Sequence, residues 1–187
     1  MAPRALWSGT ISFGLVSVPI RLFPAVREHT LRFHLVHEKD GGSIGYQKVC
    51  KKEGEPVPDD EIVKAYEWRK GEVVPLTDED FESVRAEGVR TIEIAEFVPE
   101  AEIDPLFFAR SMYVGAQAGG EKVYALLVRA MEEAELAGIA KFVLRERQHL
   151  GCLRVREGTL VLEQLHFADE IRPLDEVRPD PVKVDAR

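Results

Sequence analysis

Apolar and polar residues alternate with a two-residue period near the start of the chain. From Trp7 to Phe13 the odd-numbered residues are apolar or glycine, and from Val16 to Phe23 most even-numbered residues are apolar. This is the period of a strand with one buried face. Gly14 at the first loop position favours a type II′ turn. The pattern predicts a β-hairpin whose second face carries hydroxyls and Arg21, with Pro19 at an edge or a bulge.

Further alternating or β-branched stretches follow along the chain. They predict strands at residues 31–37, 44–50, 62–68, 91–98, 139–145, 149–156 and 159–167, with a brief pairing at 111–115. On the hairpin alone, a sheet with one solvated face is favoured over a functional surface, because such faces are common on antiparallel sheets.

Two segments carry helix signals. Thr77 followed by three acidic residues is an N-cap with an acidic first turn, which predicts a short helix to about Ala86. The Gly119-Gly120 pair precedes an apolar stripe at helical spacing from Val123 to Ala134. The chain is therefore predicted to be mainly β with α: a core domain over residues 1–173 and an extended arm or linker over the proline-rich and charged residues 174–187.

Composition places the chain with cytosolic globular proteins. It has 187 residues, of which 45% are hydrophobic and 31% charged, enough for a sizeable core. Two cysteines, Cys50 and Cys152, are too few for a disulfide framework and fit a reducing compartment. The N-terminal residues lack the apolar core of a signal peptide, and no stretch is long enough to span a membrane.

The formal charge of −8 is unevenly distributed along the chain. Residues 1–52 carry eight Lys or Arg against three Asp or Glu, and residues 138–158 carry five against two. Residues 53–137 carry eight against twenty-one. Two basic segments therefore flank an acidic middle. If they fold together they form a local positive surface that can meet a polyanion, although charge runs also serve simply to solvate a face.

Catalytic and metal-binding patterns are weak in this sequence. No Gly-x-Ser-x-Gly elbow is present, and nothing singles out one carboxylate pair among the many acids. Cys50 lacks a second cysteine at ligand spacing, and His34 and His37 point to opposite faces of a strand. We expect no catalytic residues, no metal and no cofactor.

Several separated segments, in the same order, resemble the bacterial and phage Ku proteins. The resemblance covers about residues 4–173 and is carried by ALWSGTISFGLVSVPIRLFPA, RFHLVHEKDGG, TIEIAEFVPEAEIDPLFF, GGEKVYALLVRAM and VLRERQHLGCLRVREGTLVLEQLHFADEIRP. It implies a Ku-type β-barrel core with peripheral helices, and a homodimer that forms a ring.

The resemblance also implies a function. Such a ring threads onto double-stranded DNA ends without sequence preference, in the repair of double-strand breaks by non-homologous end joining, and recruits an end-joining DNA ligase. It has no catalytic activity of its own, and its place is the cytoplasm, associated with the nucleoid. The apolar segment from Leu106 to Phe108 is a candidate to cover a second copy.

Cations on the basic, strand-rich segments are the candidate DNA contacts. They are Arg4, Arg21, Arg32, His34, Lys48, Lys51, Lys52, Arg145, Arg147, Arg154 and Arg156. Contacts of this kind touch the sugar-phosphate backbone and do not read bases.

The chain departs from the family pattern at two places. Relatives often have a Cys-x-x-Cys around Cys50, where this chain has Glu53, which puts a zinc role in doubt. A basic run of relatives is reduced here to Tyr46 and Lys48, so DNA affinity is expected to be weaker or to depend on other arginines. The alternative is a non-catalytic β-barrel protein-interaction module that does not bind DNA, which would show no salt-dependent affinity for it.

Overall fold

The computed structural model describes residues 4–27, 29, 31, 33–83, 90–145 and 147–179. They belong to two compact units: the first combines Met1–Arg27 with Ala86–Arg187, and the second is Glu28–Arg85. The predicted boundary at residue 173 between a core and an arm stays a prediction. Residues 174–176 form a short 3₁₀ turn, and residues 180–187 lie outside the described part of the chain.

The first unit is a closed β-barrel. With elements numbered along the whole chain, its strands are β1 (Trp7–Phe13), β2 (Val16–Pro24), β5 (Thr91–Pro99), β6 (Phe108–Ala116), β7 (Leu136–Leu144), β8 (Arg147–Arg156) and β9 (Thr159–Leu165). Their order around the barrel is β1-β2-β6-β9-β8-β7-β5. All neighbours are antiparallel except β1 and β5, whose parallel pairing closes the barrel. The expectation of a β-barrel core with peripheral helices is confirmed.

The first hairpin forms as its alternation predicts. Trp7 pairs with Leu22 and Phe13 with Val16. Gly14 has a φ of +56° while Leu15 does not have a positive φ, as a type II′ turn requires. Pro19 lies just beyond the β2–β6 ladder, which begins at Ile20, so its missing amide hydrogen leaves no ladder bond unmade.

The core fills the barrel interior. Val18, Ile20 and Leu22 are fully buried, together with the inward residues of the neighbouring strands. Helix α2 (Glu121–Ala134) packs on this core with Val128 and Met131, of which only Met131 belongs to the predicted apolar stripe, whereas Leu126 of that stripe is 59% exposed.

Two side chains tie this core together by hydrogen bonds. The Tyr124 hydroxyl of α2 donates to the Val114 carbonyl at 2.6 Å and accepts from the Leu160 amide at 2.9 Å, which fixes the helix to β6 and β9. The Gln117 side chain donates to the Ile20 carbonyl at 2.6 Å.

The second unit has little regular structure. It contains a hairpin of β3 (Lys64–Arg69) and β4 (Glu72–Leu76), followed by helix α1 (Asp78–Ser83). Thr77 caps α1 as predicted: its hydroxyl accepts from the Asp80 amide, and the Asp80 carboxylate accepts from the Thr77 amide at 2.7 Å. The predicted end of this helix, near Ala86, lies outside the described residues. No described residue of this unit is buried.

Two predicted strands of the second unit are wrong. The described residues of 31–37 and 44–50 make one bridge each: Val36 with Ser43, around the turn predicted at the paired glycines, and Val49 with Pro56, around the turn from Cys50 to Gly54. A ladder needs a partner strand along its length, and neither stretch has one among the described residues. In the first unit the brief pairing expected at 111–115 is instead the full-length β6, and β9 ends at Leu165.

Candidate nucleic-acid interface

An outward-facing row of residues crosses five adjacent strands of the barrel. Arg21 of β2 pairs with Ser8 of β1 on one side and with Gly115 of β6 on the other. The β6–β9 register, continued by one step, brings Gly115 opposite Thr159, and Thr159 pairs with Arg156 of β8. We call Ser8, Arg21, Gly115, Thr159 and Arg156 the arginine row. Its members face outward because Ile20, Leu22, Val114 and Leu160, their chain neighbours, point into the core.

The centre of the arginine row is shallow. Adjacent strands lie about 4.8 Å apart, so the backbones of Arg21 and Arg156 are separated by roughly 14 Å over three strand steps. A depression of about 440 Å³ lies on the Arg156 side of the row and is lined by Phe23, Gly115, Arg156, Glu157 and Thr159 among others. A Cβ at Gly115 would lie 3.0 Å from the Phe23 ring, so a larger residue at this position would partly fill the depression.

Both arginines of the row have an available charge. Arg21 and Arg156 are exposed, and within the described residues neither is part of an ion pair. Ser8 and Thr159 add hydroxyl donors on the same row. Guanidinium groups and hydroxyls are the side chains that commonly contact phosphate oxygens, so the row suits a polyanionic backbone.

Arg154 is placed differently from the other predicted cations. Its side chain is only 23% exposed, and its Nη2 lies 2.7 Å from Oε1 of Glu163, which is 2% exposed. A second carboxylate, Glu100, accepts from Nη1 at 3.1 Å, and the guanidinium lies 5.4 Å from the centre of the Phe108 ring. The charge of Arg154 is therefore already compensated inside the protein, which leaves it less available to a phosphate than Arg21 or Arg156.

Cys152 adjoins this ion-pair cluster, opposite Glu163 in the β8–β9 register. Burial raises the pKa of its thiol to about 12, although the positive charge of Arg154 acts to lower it. A thiol in this state stays protonated at neutral pH and is a poor metal ligand. Among the described residues, no group of three or more His, Cys, Asp or Glu side chains is arranged to hold a metal ion.

Arg145 and Arg147 lie at the opposite end of β8. Arg145 is in the β7–β8 turn with a φ of +52°, Arg147 pairs with Leu144, and both are exposed. Nine residues of strand separate Arg147 from Arg156, which is roughly 30 Å. The four arginines that the sequence places on one meander thus form two separate groups of exposed cations plus the enclosed Arg154.

The remaining candidates that the structure describes are exposed. Arg4 precedes β1, and His34 lies in irregular chain of the second unit. Lys51 and Lys52 occupy a turn closed by a hydrogen bond from the Gly54 amide to the Cys50 carbonyl, and Lys48 forms an exposed ion pair with Asp59 at 2.7 Å. Arg32 lies outside the described residues.

Sequence reasoning missed the partners of Arg21 in the row. It identified the hydroxyls and Arg21 on one face of the first hairpin, but not Gly115 and Thr159, because only the barrel register brings residues so distant in sequence together.

No helix in the described part of the chain is both long and apolar enough to cross a membrane.

The fold and the arginine row define a closed-barrel protein with a basic, hydroxyl-bearing outer patch. Within that class the chain belongs to the Ku family: the family profile described as the Ku70/Ku80 beta-barrel domain matches residues 12–186.

Curated relatives are similar over most of the chain. A non-homologous end joining protein Ku of Archaeoglobus fulgidus is 46% identical over 173 residues, which is 92% of this chain and 68% of the relative. The protein Ku 1 of Geotalea uraniireducens is 41% identical over the whole chain and 71% of its own length. The Bacillus subtilis protein is 42% identical over 93% of this chain and 56% of its own. The chain thus spans between about half and seven tenths of these relatives.

Proposed function

We propose that this chain binds the ends of double-stranded DNA without sequence preference and acts in non-homologous end joining. Its relatives are named for that process. The observation that carries the proposal is the arginine row, which brings together on one face of the sheet two hydroxyls and two guanidinium groups that have no ion-pair partner among the described residues. A surface of this kind contacts backbone phosphates and leaves base edges unread.

The proposed contacts are the predicted cations with one exception, and two of them, Arg21 and Arg156, belong to the arginine row. Arg154 is left out because its charge is compensated by Glu100 and Glu163. The proposed set is Arg4, Arg21, Arg32, His34, Lys48, Lys51, Lys52, Arg145, Arg147 and Arg156. Substitution of any one of them is expected to weaken DNA binding by a similar factor for every DNA sequence, because none of these side chains reads bases.

We further propose that two copies form a ring around the duplex and that the complex recruits an end-joining ligase, with no catalytic step of its own. The proposal of a ring is supported by family membership and by uncovered apolar side chains. Leu106 is 58% exposed, within the segment expected to cover a second copy. Such side chains on a protein surface favour burial against a partner.

Competition between linear and closed circular DNA tests end binding. A labelled linear duplex is mixed with unlabelled competitor of the same sequence, either linear or covalently closed. We expect the linear competitor to displace the probe and the circle to fail, because a ring can enter only at a terminus. Equal competition by both forms would contradict threading. No salt-dependent binding to either would instead support the interaction-module alternative.

Paired variants test the arginine row itself. The double variant R21A/R156A should weaken binding of the linear duplex at least about tenfold and lower the slope of log affinity against log salt by about 2, since each phosphate contact contributes about 0.9. The control, R129A/R178A, removes two exposed arginines that pair with Glu133 and Asp175. An unchanged slope in R21A/R156A, or the same loss in the control, would remove the row from the interface.

A further inference from the structure

The hairpin of the second unit gathers two exposed aromatic rings and several cations. Alternation along β3 places Lys64, Tyr66 and Trp68 on one face, with Val74 opposite Tyr66 on β4. Tyr66 is 64% exposed and Trp68 is 50% exposed. Two half-exposed aromatic rings on neighbouring positions of one strand face are unusual for a surface that meets only water.

A β-bulge brings an arginine onto the same face. The β3–β4 register shifts between Glu67 and Arg69, so Trp68 and Arg69 together oppose Glu72. The guanidinium carbon of Arg69 consequently lies 4.3 Å from the centre of the Trp68 ring. Glu67 points to the other face, where its carboxylate accepts from the Gly71 amide at 2.7 Å and closes the turn.

The spacing of the rings suits a planar guest. Residues two apart on a strand are separated by about 6.6 Å, which is about twice the 3.4 Å rise of stacked bases in a nucleic-acid strand. Tyr66 and Trp68 make no ring contact with each other among the described residues. Lys64 and Arg69 flank the pair, and the β4 residues paired with Lys64, Tyr66 and Arg69 are Leu76, Val74 and Glu72, of which only Glu72 is charged. Aromatic rings with flanking cations are the combination that binds single-stranded nucleic acid by stacking.

We propose that the Tyr66–Trp68 face binds the unpaired bases of single-stranded overhangs at DNA ends. The inference rests on the proposed end-binding function and adds a second ligand class to it, since duplex contacts use phosphates whereas this face uses base surfaces. The alternative is that a second copy of this chain binds the same face and covers the two rings. The cations beside the rings favour a nucleic-acid strand, because it carries a phosphate at every nucleotide whereas the carboxylates of a second copy are dispersed over its surface.

Three DNA substrates separate base stacking from charge. Each is a hairpin-closed duplex with a single open end, which is blunt, or carries a four-nucleotide overhang, or carries an abasic overhang with the same phosphates. The full chain should bind the base-bearing overhang at least about fivefold more tightly than the abasic one, because stacking on aromatic side chains is worth roughly 1–3 kcal/mol per base. The fluorescence of Trp68 should be quenched only by the base-bearing overhang. The W68F variant retains Trp7 alone, so its fluorescence gives the Trp7 contribution that is subtracted from the signal of the parent protein.

Variants give the matched controls. W68A should reduce the preference for the base-bearing overhang, and Y66A/W68A should bring the base-bearing and abasic overhangs to equal affinity, both while leaving the blunt end unchanged; W68F should keep most of the preference. F167A removes another exposed aromatic ring, on the first unit, and should change nothing.

Two results would overturn the inference while leaving end binding intact: equal affinity for base-bearing and abasic overhangs in the parent protein, or dissociation of a dimer by W68A in sedimentation. Absence of binding to the blunt duplex in every variant would overturn the proposed function and this inference with it.

Discussion

At the scale of single residues, the Arg154–Glu163 ion pair is the most enclosed charge interaction in the described structure. Glu163 is 2% exposed, and only its Oε1 is hydrogen-bonded to Arg154, while Oε2 has no partner among the described residues. Removing one member of such a pair leaves a buried charge uncompensated, whereas removing both need not be costly.

Urea unfolding of Arg154 and Glu163 variants tests this asymmetry. R154M should lower the free energy of unfolding by about 3–5 kcal/mol, because Glu163 is left charged and buried. The double variant R154M/E163L should recover much of that loss. R129A, which breaks an exposed pair, should cost no more than about 0.5 kcal/mol. A double variant as unstable as R154M would show that the pair matters through packing and not through charge.

The sequence showed the positions of Arg154 and Arg156 but not their different roles. Both lie on the outward face of β8, two residues apart, and both are arginines. What separates them is Glu100, which precedes β8 by some fifty residues, and Glu163 on the next strand. Periodicity reports which face a residue lies on, but it cannot report which distant carboxylate covers it.

At the scale of secondary-structure elements, the seam between β1 and β5 depends on a close backbone approach. The Thr10 amide donates to the Arg90 carbonyl at 2.9 Å, next to the parallel pairing of Thr10 with Thr91. A Cβ at Gly9 would overlap both the Arg90 carbonyl oxygen and the Trp7 ring. Only glycine lets the two strands approach there.

Gly9→Ala is therefore expected to strain the closure of the barrel. We expect a loss of about 1–3 kcal/mol in unfolding free energy, with faster amide hydrogen exchange at Thr10 than in the parent. Gly45→Ala is the control, since its Cβ would meet nothing within 4 Å and its φ is not positive. Equal stability of G9A and G45A would contradict the steric argument.

Alternation predicted strands well only where the barrel supplied neighbours. Residues 91–98 alternate and form β5, paired on both sides. Residues 31–37 alternate equally well, but those of them that the structure describes form no strand, and Phe33 is 84% exposed. A pattern specifies which face of a strand would be buried, but a strand forms only if a partner backbone is present to accept its hydrogen bonds. The full length of β6 was missed for the opposite reason: a bulge between Phe108 and Arg110 interrupts its period.

At the scale of the whole molecule, buried residues lie only in the first unit as far as the structure describes the chain. The core runs from Ile11 to Leu22 and from Ile92 to Leu165, and the second unit contributes no buried residue to it. The second unit, Glu28–Arg85, is inserted between β2 and β5. Stability should therefore reside in the barrel.

Excision of the insertion tests this division. A chain in which residues 28–89 are replaced by about ten Gly and Ser residues should fold, with a cooperative thermal transition near that of the parent. The linker is long enough to join Pro24 to Thr91. These residues lie on the two neighbours of β1, two strand spacings apart, and are offset by about five residues along the strands, which gives a separation of roughly 19 Å. Ten extended residues reach about 33 Å. The complementary fragment, residues 28–85 alone, should show no cooperative transition because it has no core. A cooperative fragment, or an unfolded excised barrel, would contradict the assignment.

The parallel closure of the barrel also has a consequence for synthesis on the ribosome. Thr10 precedes its partner Thr91 by 81 positions, so at 5–20 residues per second the first strand waits roughly 4–16 s for the strand that closes on it. During that time the nascent sheet has two free edges and an uncovered apolar side, which are the features that promote aggregation. Translation that stalls before β9 is complete would leave the chain in this open form, so the nascent protein depends on chaperones or rapid elongation more than the finished barrel does.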